Sequence, residues 1–521
     1  MVVASGHCVR DFCQSVLHGV RLFFSGGELM LVGLGFLMIA VFMTLILTKR
    51  WTPVAALILV PIAFGILAVQ LGVANVADKG VAAAIMSAIK DFAPTAALLF
   101  FAITYFGLMI DVGLFDPVIR FILRVVGNSP VRVVLGTALL AAMVSLDGDG
   151  STTFIITVSA LLPIYLRLGM SPVVLTTVAV LANGVLNIVP WGGPTVRAAT
   201  VLKVSPNDLF LPMVPGMAVA LVAVLILAYM LGRSEKKRLL ASGKTLDTVA
   251  ESLSVSKPTT ATAVAEGGSG GGSRSHGGDH GLDILPPHVG DPDAELDYAE
   301  DNPDMITGLD PNRSTLRPKL IWFNAALTIV LLVMLGMDIF PLGLLFMIAA
   351  AIGLVVNFPN PHDQSERIKA HASSIVAVVS MVFAAAVLVG ILDGTGMVTA
   401  MADAIVAVVP SGLGPWFAVI TGILSMPLTF FMSNDAFYFG VLPILSEAAA
   451  QYGITPVEMA RASIVGQPVH LTSPLVPAML LLISLARVDL ADFHKKAIWR
   501  AAICSLVMLG VAIAIGVVPI G

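Results

Sequence analysis

The run Ser145-Leu146-Asp147-Gly148-Asp149-Gly150-Ser151-Thr152-Thr153-Phe154 sets two carboxylates, two glycines and a row of hydroxyls between segments apolar enough to lie in a bilayer. A charged side chain at the bilayer centre costs at least about 2.5–3.5 kcal/mol, so such residues face a cavity, an ion or a partner. The chemistry this spacing suits is binding. Asp147 and Asp149 offer hard oxygens to a divalent cation or a place for a proton. Gly148 and Gly150 permit the tight backbone that aims amide N–H groups at an anion, and Ser151 and Thr152 add hydroxyls.

The elements that position this run are membrane helices. Of the 521 residues 57% are hydrophobic and 12% charged, against roughly 25% charged in a soluble protein. The fold class is therefore all-α and polytopic, with the lipid bilayer as partner and no nucleic acid. Cys8, Cys13 and Cys504 form no disulfide or zinc pattern, and residues 1–28 lack the apolar core and cleavage site of a signal peptide.

A span needs about 20 apolar residues, which predicts spans near 29–48, 54–72, 94–112, 172–201, 209–231, 320–337, 341–357, 371–392, 457–486 and 500–519. Two pairs of shorter apolar stretches, 133–146 with 152–166 and 415–431 with 436–450, read as re-entrant helical hairpins. The basic clusters, among them Lys49-Arg50, Arg120, Arg124, Arg132, Arg167, Arg233 with Lys236 to Arg238, Arg313, Arg317, Lys319, Arg367, Lys369 and Lys495-Lys496, then all fall on the cytoplasmic side. Both chain ends lie outside on this reading. The chain divides into an N-terminal tail (1–28), a first repeat (29–232, hairpin 133–166), a cytoplasmic linker (233–318) and a second repeat (319–521, hairpin 415–450). The linker, with Gly267-Gly268-Ser269-Gly270-Gly271-Gly272-Ser273, reads as a flexible tether in which His276, His280 and His288 are solvated.

The halves repeat each other. Leu162-Pro163-Ile164 matches Leu442-Pro443-Ile444, Pro172 and Pro456 each precede a second proline by 18 residues, and Asn183 and Gln467 each lie 11 beyond the first. Five spans per half is an odd number, so the second repeat is inverted, as in many transporters with a midplane site between repeats. Four elements are candidates for that site: the first hairpin tip; the second tip, with Ser433, Asn434 and Asp435; a broken span with Asn183, Asn187, Pro190, Gly192 and Gly193; and its counterpart with Gln467, His470, Thr472 and Ser473. Broken spans expose helix N-termini that suit carboxylates and carbonyls that suit cations. Asn187 or Thr472 alone would equally suit an interhelical hydrogen bond. His470 fits a proton carrier or a buried donor. Arg197 and Arg461, toward the ends of their spans, are expected to snorkel.

At the two tips and in Gly466-Gln467-Pro468-Val469-His470-Leu471-Thr472-Ser473-Pro474-Leu475-Val476-Pro477-Ala478, the chain resembles the citrate-metal-proton symporter (CitMHS) family of the ion transporter superfamily. The resemblance implies a dicarboxylate-carrier-like, elevator-type fold, a homodimer, and a bacterial inner or plasma membrane location. It implies symport of citrate complexed with a divalent ion such as Mg²⁺ or Ca²⁺, coupled to protons, with the metal as co-substrate and no resident cofactor. Asp147, Asp149, Asp435 and His470 are the metal or proton candidates; Gly148, Gly150, Ser151, Thr152, Asn183, Asn187, Gly192, Ser433, Asn434, Gln467, Thr472 and Ser473 are the substrate candidates. Alternatives are a cation/proton antiporter or a carrier of another organic anion. An integral-membrane enzyme, the remotest, would need a convergent nucleophile, base or metal cluster, and the sequence offers no such set, so no enzymatic activity is expected.

Overall fold

The computed structural model describes residues 26–48, 50–74, 80–127, 129–148, 150–241, 313–337 and 339–520. Every regular element among them is a helix. In the first half these are α1 (Gly26–Leu47), α2 (Pro53–Gln70), α3 (Gly80–Asp111), α4 (Asp116–Val126), α5 (Pro130–Val144) ending in a 3-10 turn (Ser145–Asp147), α6 (Gly150–Arg167), α7 (Pro172–Leu186), α8 (Gly193–Val201) and α9 (Pro206–Ala241). The second half holds α10 (Ile321–Met337), α11 (Leu342–Asn357), α12 (Pro361–Ala370), α13 (Ala372–Thr395), α14 (Met397–Val408) and α15 (Phe417–Phe431). A π-helical turn (Ala436–Val441) then leads into α16 (Leu442–Ala450), α17 (Pro456–Ile464), α18 (Gln467–His470), α19 (Pro477–Leu485) and α20 (Leu490–Ala514). Prolines open many of them, including Pro53, Pro130, Pro172, Pro361, Pro456 and Pro477, where a missing N–H costs nothing. Thr455 and Glu458 close a capping box at the start of α17.

Ten helices among the described residues are long and apolar enough to cross a membrane. They are not the ten expected. The spans read at 172–201 and 457–486 are broken, as their prolines and glycines predict, into α7 and α8 and into α17, α18 and α19, so no single piece is long enough to cross. The arms of the first hairpin are longer than the 133–146 and 152–166 read from hydropathy: Pro130–Asp147 and Gly150–Arg167 are 18 residues each, because Pro130 starts one arm early and the 3-10 turn carries it to the tip. The span near 94–112 begins at Gly80, with Pro94 inside the helix. α4 and α14 are short and were not anticipated; α4 buries Ile119, Ile122 and Val126 on one face while carrying Arg120 and Arg124. Residues 242–312 of the linker, with its glycines and histidines, Cys8 and Cys13, and the 1–25 portion of the tail lie outside the described residues. The linker's ends are built into the fold: α9 runs on to Ala241 with Glu235 only 3% exposed, and Arg313 pairs with Asp116 at 2.9 Å.

The helices form two layers. In one, α3 and α13 cross in close contact, flanked by α2 on α13 and α11 on α3. Gly390 and Gly394 make this possible: Cβ atoms there would lie 2.9 Å from the Ala84 carbonyl oxygen and 2.6 Å from Ala84 Cβ. The other layer holds both hairpins and both broken helices, braced by α9 packing on α5 and α20. At its centre α7 crosses α18, and a Cβ on Gly184 would stand 2.6 Å from Pro468 Cα. Gly184 and Pro468 are each 12 residues past the proline that opens their broken helix, so each half presents the same position to the other. Overpacking such a contact costs about 1–3 kcal/mol. Gly184→Val therefore lowers the thermal unfolding midpoint in detergent, whereas Gly336→Ala, with open space around it, leaves it unchanged; equal midpoints would refute the crossing.

Candidate substrate site

The first tip turns at Gly148, whose φ of +81° is the left-handed conformation open to glycine. A Cβ there would also meet Trp191 Cδ1 at 3.0 Å and Gly192 Cα at 3.4 Å, so the tip lies directly on the break between α7 and α8. Trp191 Nε1 donates to the Leu146 carbonyl at 2.9 Å. Asn183 Nδ2 donates to Ser145 Oγ at 2.9 Å, with Thr153 Oγ1 at 3.4 Å. The Asn183 side-chain oxygen Oδ1 is buried without a hydrogen-bond partner among the described residues, beside Gly150. Asp147 is 8% exposed, Ser151 and Thr152 are half-buried, and Asp149 lies outside the described residues.

The second tip is held by the same device. Gln467 and Asn434 exchange reciprocal amide hydrogen bonds at 3.0 and 3.2 Å, and Gln467 Nε2 also donates to Tyr438 Oη at 3.0 Å. Ser433 Oγ accepts from the Ala436 N–H at 3.2 Å, where the π-helical turn begins; such turns often accompany functional sites. Thus Asn183 and Gln467, matched in the sequence, each tether the hairpin tip of their own half.

Each tip also reaches into the other half. Gly150 approaches Ala478 at the start of α19, 3.3 Å from Cβ to built Cβ, and Asp435 pairs with Arg197 of α8, Nε to Oδ1 2.6 Å. This corrects the snorkelling expected of Arg197: the break turns α8 so that Arg197 meets tip two. Arg461 does lie at a helix end, donating to the Asp208 carbonyl at 2.7 and 3.0 Å.

The second break is less open to a ligand than its residue types suggest. Ser473 Oγ donates to the Phe430 carbonyl at 2.6 Å, Thr472 Oγ1 to the Val469 carbonyl at 2.7 Å, and His470 Nδ1 to the Thr429 carbonyl at 2.7 Å. His494, which the sequence reading missed, donates from Nε2 to the Thr472 carbonyl at 2.8 Å. At the first break Thr195 Oγ1 donates to the Ile188 carbonyl at 2.8 Å, a Cβ on Gly192 would collide with the Asn187 carbonyl, and Asn187 is buried, 8% exposed. No group of three His, Cys, Asp or Glu side chains among the described residues is placed to hold a metal ion.

The two breaks differ in cover. Trp191 is 6% exposed, stacked on Phe106 of α3 at 5.3 Å and edge-on to Phe346 of α11 at 5.2 Å. Leu475, 19 residues past Pro456 as Trp191 is past Pro172, is 39% exposed.

Fold and site together define a helical multi-pass membrane protein built around two hairpin tips and two broken helices. The CitMHS family, described as "Citrate transporter", matches residues 39–466, and the chain belongs to it. It is 43% identical over 490 residues to a "Citrate transporter" of Bacillus subtilis (strain 168) and 42% identical over 491 residues to a "Mg(2+)/citrate complex secondary transporter" of the same organism. Each alignment covers 94% of this chain and 100% of the relative. Among solved structures, MtrF of Neisseria gonorrhoeae is similar at a TM-score of 0.49 and 13% identity, covering 83% of this chain and 84% of that one. With ten apolar helices among its described residues and its place in this bacterial transporter family beside the Bacillus subtilis relatives, this is a multi-pass bacterial membrane protein.

Gln467→Leu strands the Asn434 amide and removes a partner of Tyr438. A buried polar group left unpaired costs about 1–3 kcal/mol, so the variant melts at lower temperature in detergent and takes up substrate more slowly. Unchanged melting and uptake would show that the tether does not hold the tip.

Proposed function

We propose that the chain is a secondary carrier that takes up citrate chelated to a divalent cation together with protons. The observation that carries this reading is the convergence of two tethered tips on two broken helices, with crossed contacts between halves at Gly150–Ala478 and Arg197–Asp435. Such an arrangement offers hydroxyls, amides and helix ends from both sides to one multidentate ligand. Citrate is a trianion near neutral pH. Chelating Mg²⁺ or Ca²⁺ lowers its charge to about one negative, which reduces the cost of entering a low-dielectric site, and the relative bearing the name Mg(2+)/citrate complex secondary transporter supports that form of substrate.

Asp147, Asp149 and Asp435 serve the metal's outer face or the coupled proton, and protonation of one of them accompanies loading. The metal brings its oxygen ligands with it as a citrate complex, so three protein ligands need not converge. The two halves act as inverted repeats that exchange roles. In the state described, the break at Trp191 is packed on α3 and α11 while its counterpart at Leu475 is uncovered; in the alternate state that cover moves to the second break.

Uptake of labelled citrate into proteoliposomes, with Mg²⁺, with Ca²⁺, without metal, and with or without an inward proton gradient, tests the reading. It rises with a divalent ion and with the gradient; uptake indifferent to metal contradicts the metal-complex substrate, and metal-driven proton movement without citrate would point to an antiporter. Asp147→Asn, nearly isosteric, lowers metal-dependent uptake by about tenfold or more, the equivalent of about 1.4 kcal/mol, at unchanged expression.

A further inference from the structure

Arg197 is a cation with more donors than partners. It sits on α8, four residues past Gly193, which begins that helix. Its Nε donates to Asp435 Oδ1 at 2.6 Å, and this is its one hydrogen bond among the described residues. Nη1 lies over Gly193, 2.7 Å from where a Cβ would stand; a side chain at 193 would push the guanidinium away. Arg197 and Gly193 also line a crevice of about 10 Å³ between α8 and the long helices, with Leu99 of α3 and Val378 and Val382 of α13.

A guanidinium offers a planar fork that matches a carboxylate through two parallel hydrogen bonds. Here Asp435 takes only the Nε edge, and the Nη donors have no partner among the described residues. The side chains of Arg197 and Asp435 are 20% and 16% exposed, so leaving either charge alone would be costly. Asp435 therefore has reason to stay on Arg197 until another anion replaces or joins it.

We propose that Arg197 grips a carboxylate of the transported anion, with Asp435 as the partner that holds the arginine ready between transport events. The proposal rests on the carrier reading above and names the residue that recognises the organic anion. Arg197 comes from the first half and Asp435 from the tip of the second. A substrate carboxylate taking the guanidinium loosens the hold of α8 on tip two and frees that hairpin to move. Lysine at 197 keeps the charge without the fork and grips less well.

The test is citrate uptake in proteoliposomes, with and without Mg²⁺, by wild type, R197K, R197Q, D435N and R197Q/D435N, alongside melting temperatures in detergent. R197Q raises the citrate KM at least about tenfold, as expected for loss of a charge-assisted bidentate contact, and R197K falls between it and wild type. The double variant, which leaves no unpaired charge, recovers the melting temperature of the wild type but keeps the raised KM. A double variant with wild-type KM would show that the pair is structural and overturn the proposal. Because R197K keeps a cation opposite Asp435 and the double variant leaves no charge unpaired, the comparison stands even where R197Q fails to fold. Wild-type uptake that ignores Mg²⁺ would contradict the metal-complex substrate while leaving the KM comparison for Arg197 readable.

Discussion

Backbone that leaves its helix at membrane depth must find its hydrogen bonds inside the protein, and the arrangement of this chain follows from that constraint. It unwinds at two hairpin tips and two breaks, and at three of the four the structure supplies partners from a neighbouring element; at the first break Thr195 takes the Ile188 carbonyl from within. Trp191 takes the Leu146 carbonyl, His470 and Ser473 take the last carbonyls of α15, and His494 takes the carbonyl of Thr472. The bonds from Trp191 to the first tip and from His470 and Ser473 to the flank of the second draw each break onto the hairpin of its own half.

The same constraint explains the side-chain amide 11 residues past the opening proline of each broken helix. Asn183 and Gln467 carry both donors and an acceptor on a short neutral group, able to engage a hairpin tip without bringing a further charge into the bilayer. Glycine and proline do the complementary work: Gly184 against Pro468 brings the broken helices together, and Gly148 against Gly192 brings a tip onto a break. The tips and the first break meet through one charged pair, Arg197 with Asp435. The two breaks differ in cover, Trp191 packed among Phe106 and Phe346 and Leu475 exposed, so the halves match in sequence and element order but not in surroundings.

Much of this was legible in the residues. Matched prolines and the positions of Asn183 and Gln467 located both broken helices, and acids flanked by glycine located the first tip. Arg197 was not legible, because the residues of 172–201 show that the span breaks but not the direction α8 takes after the break, and on a straight helix Arg197 falls at the membrane surface. Only the change of direction after Gly192 brings it to Asp435. His494 lies on α20, remote in sequence and without a motif. The carriers' family resemblance and the 428-residue family match from 39 to 466 agree on class, yet they say nothing of which side chain meets which, since Thr472 and Ser473 look like ligand donors and spend their hydroxyl protons on the framework.

The central claim is that tips and breaks from both halves form one site. Cryo-electron microscopy of the protein in lipid nanodiscs with saturating citrate and Mg²⁺ tests it directly: the account predicts one density for the complex, touching the first tip, the second tip and the flank of α8 together. Density held by one tip alone, or lying outside both hairpins, would contradict it.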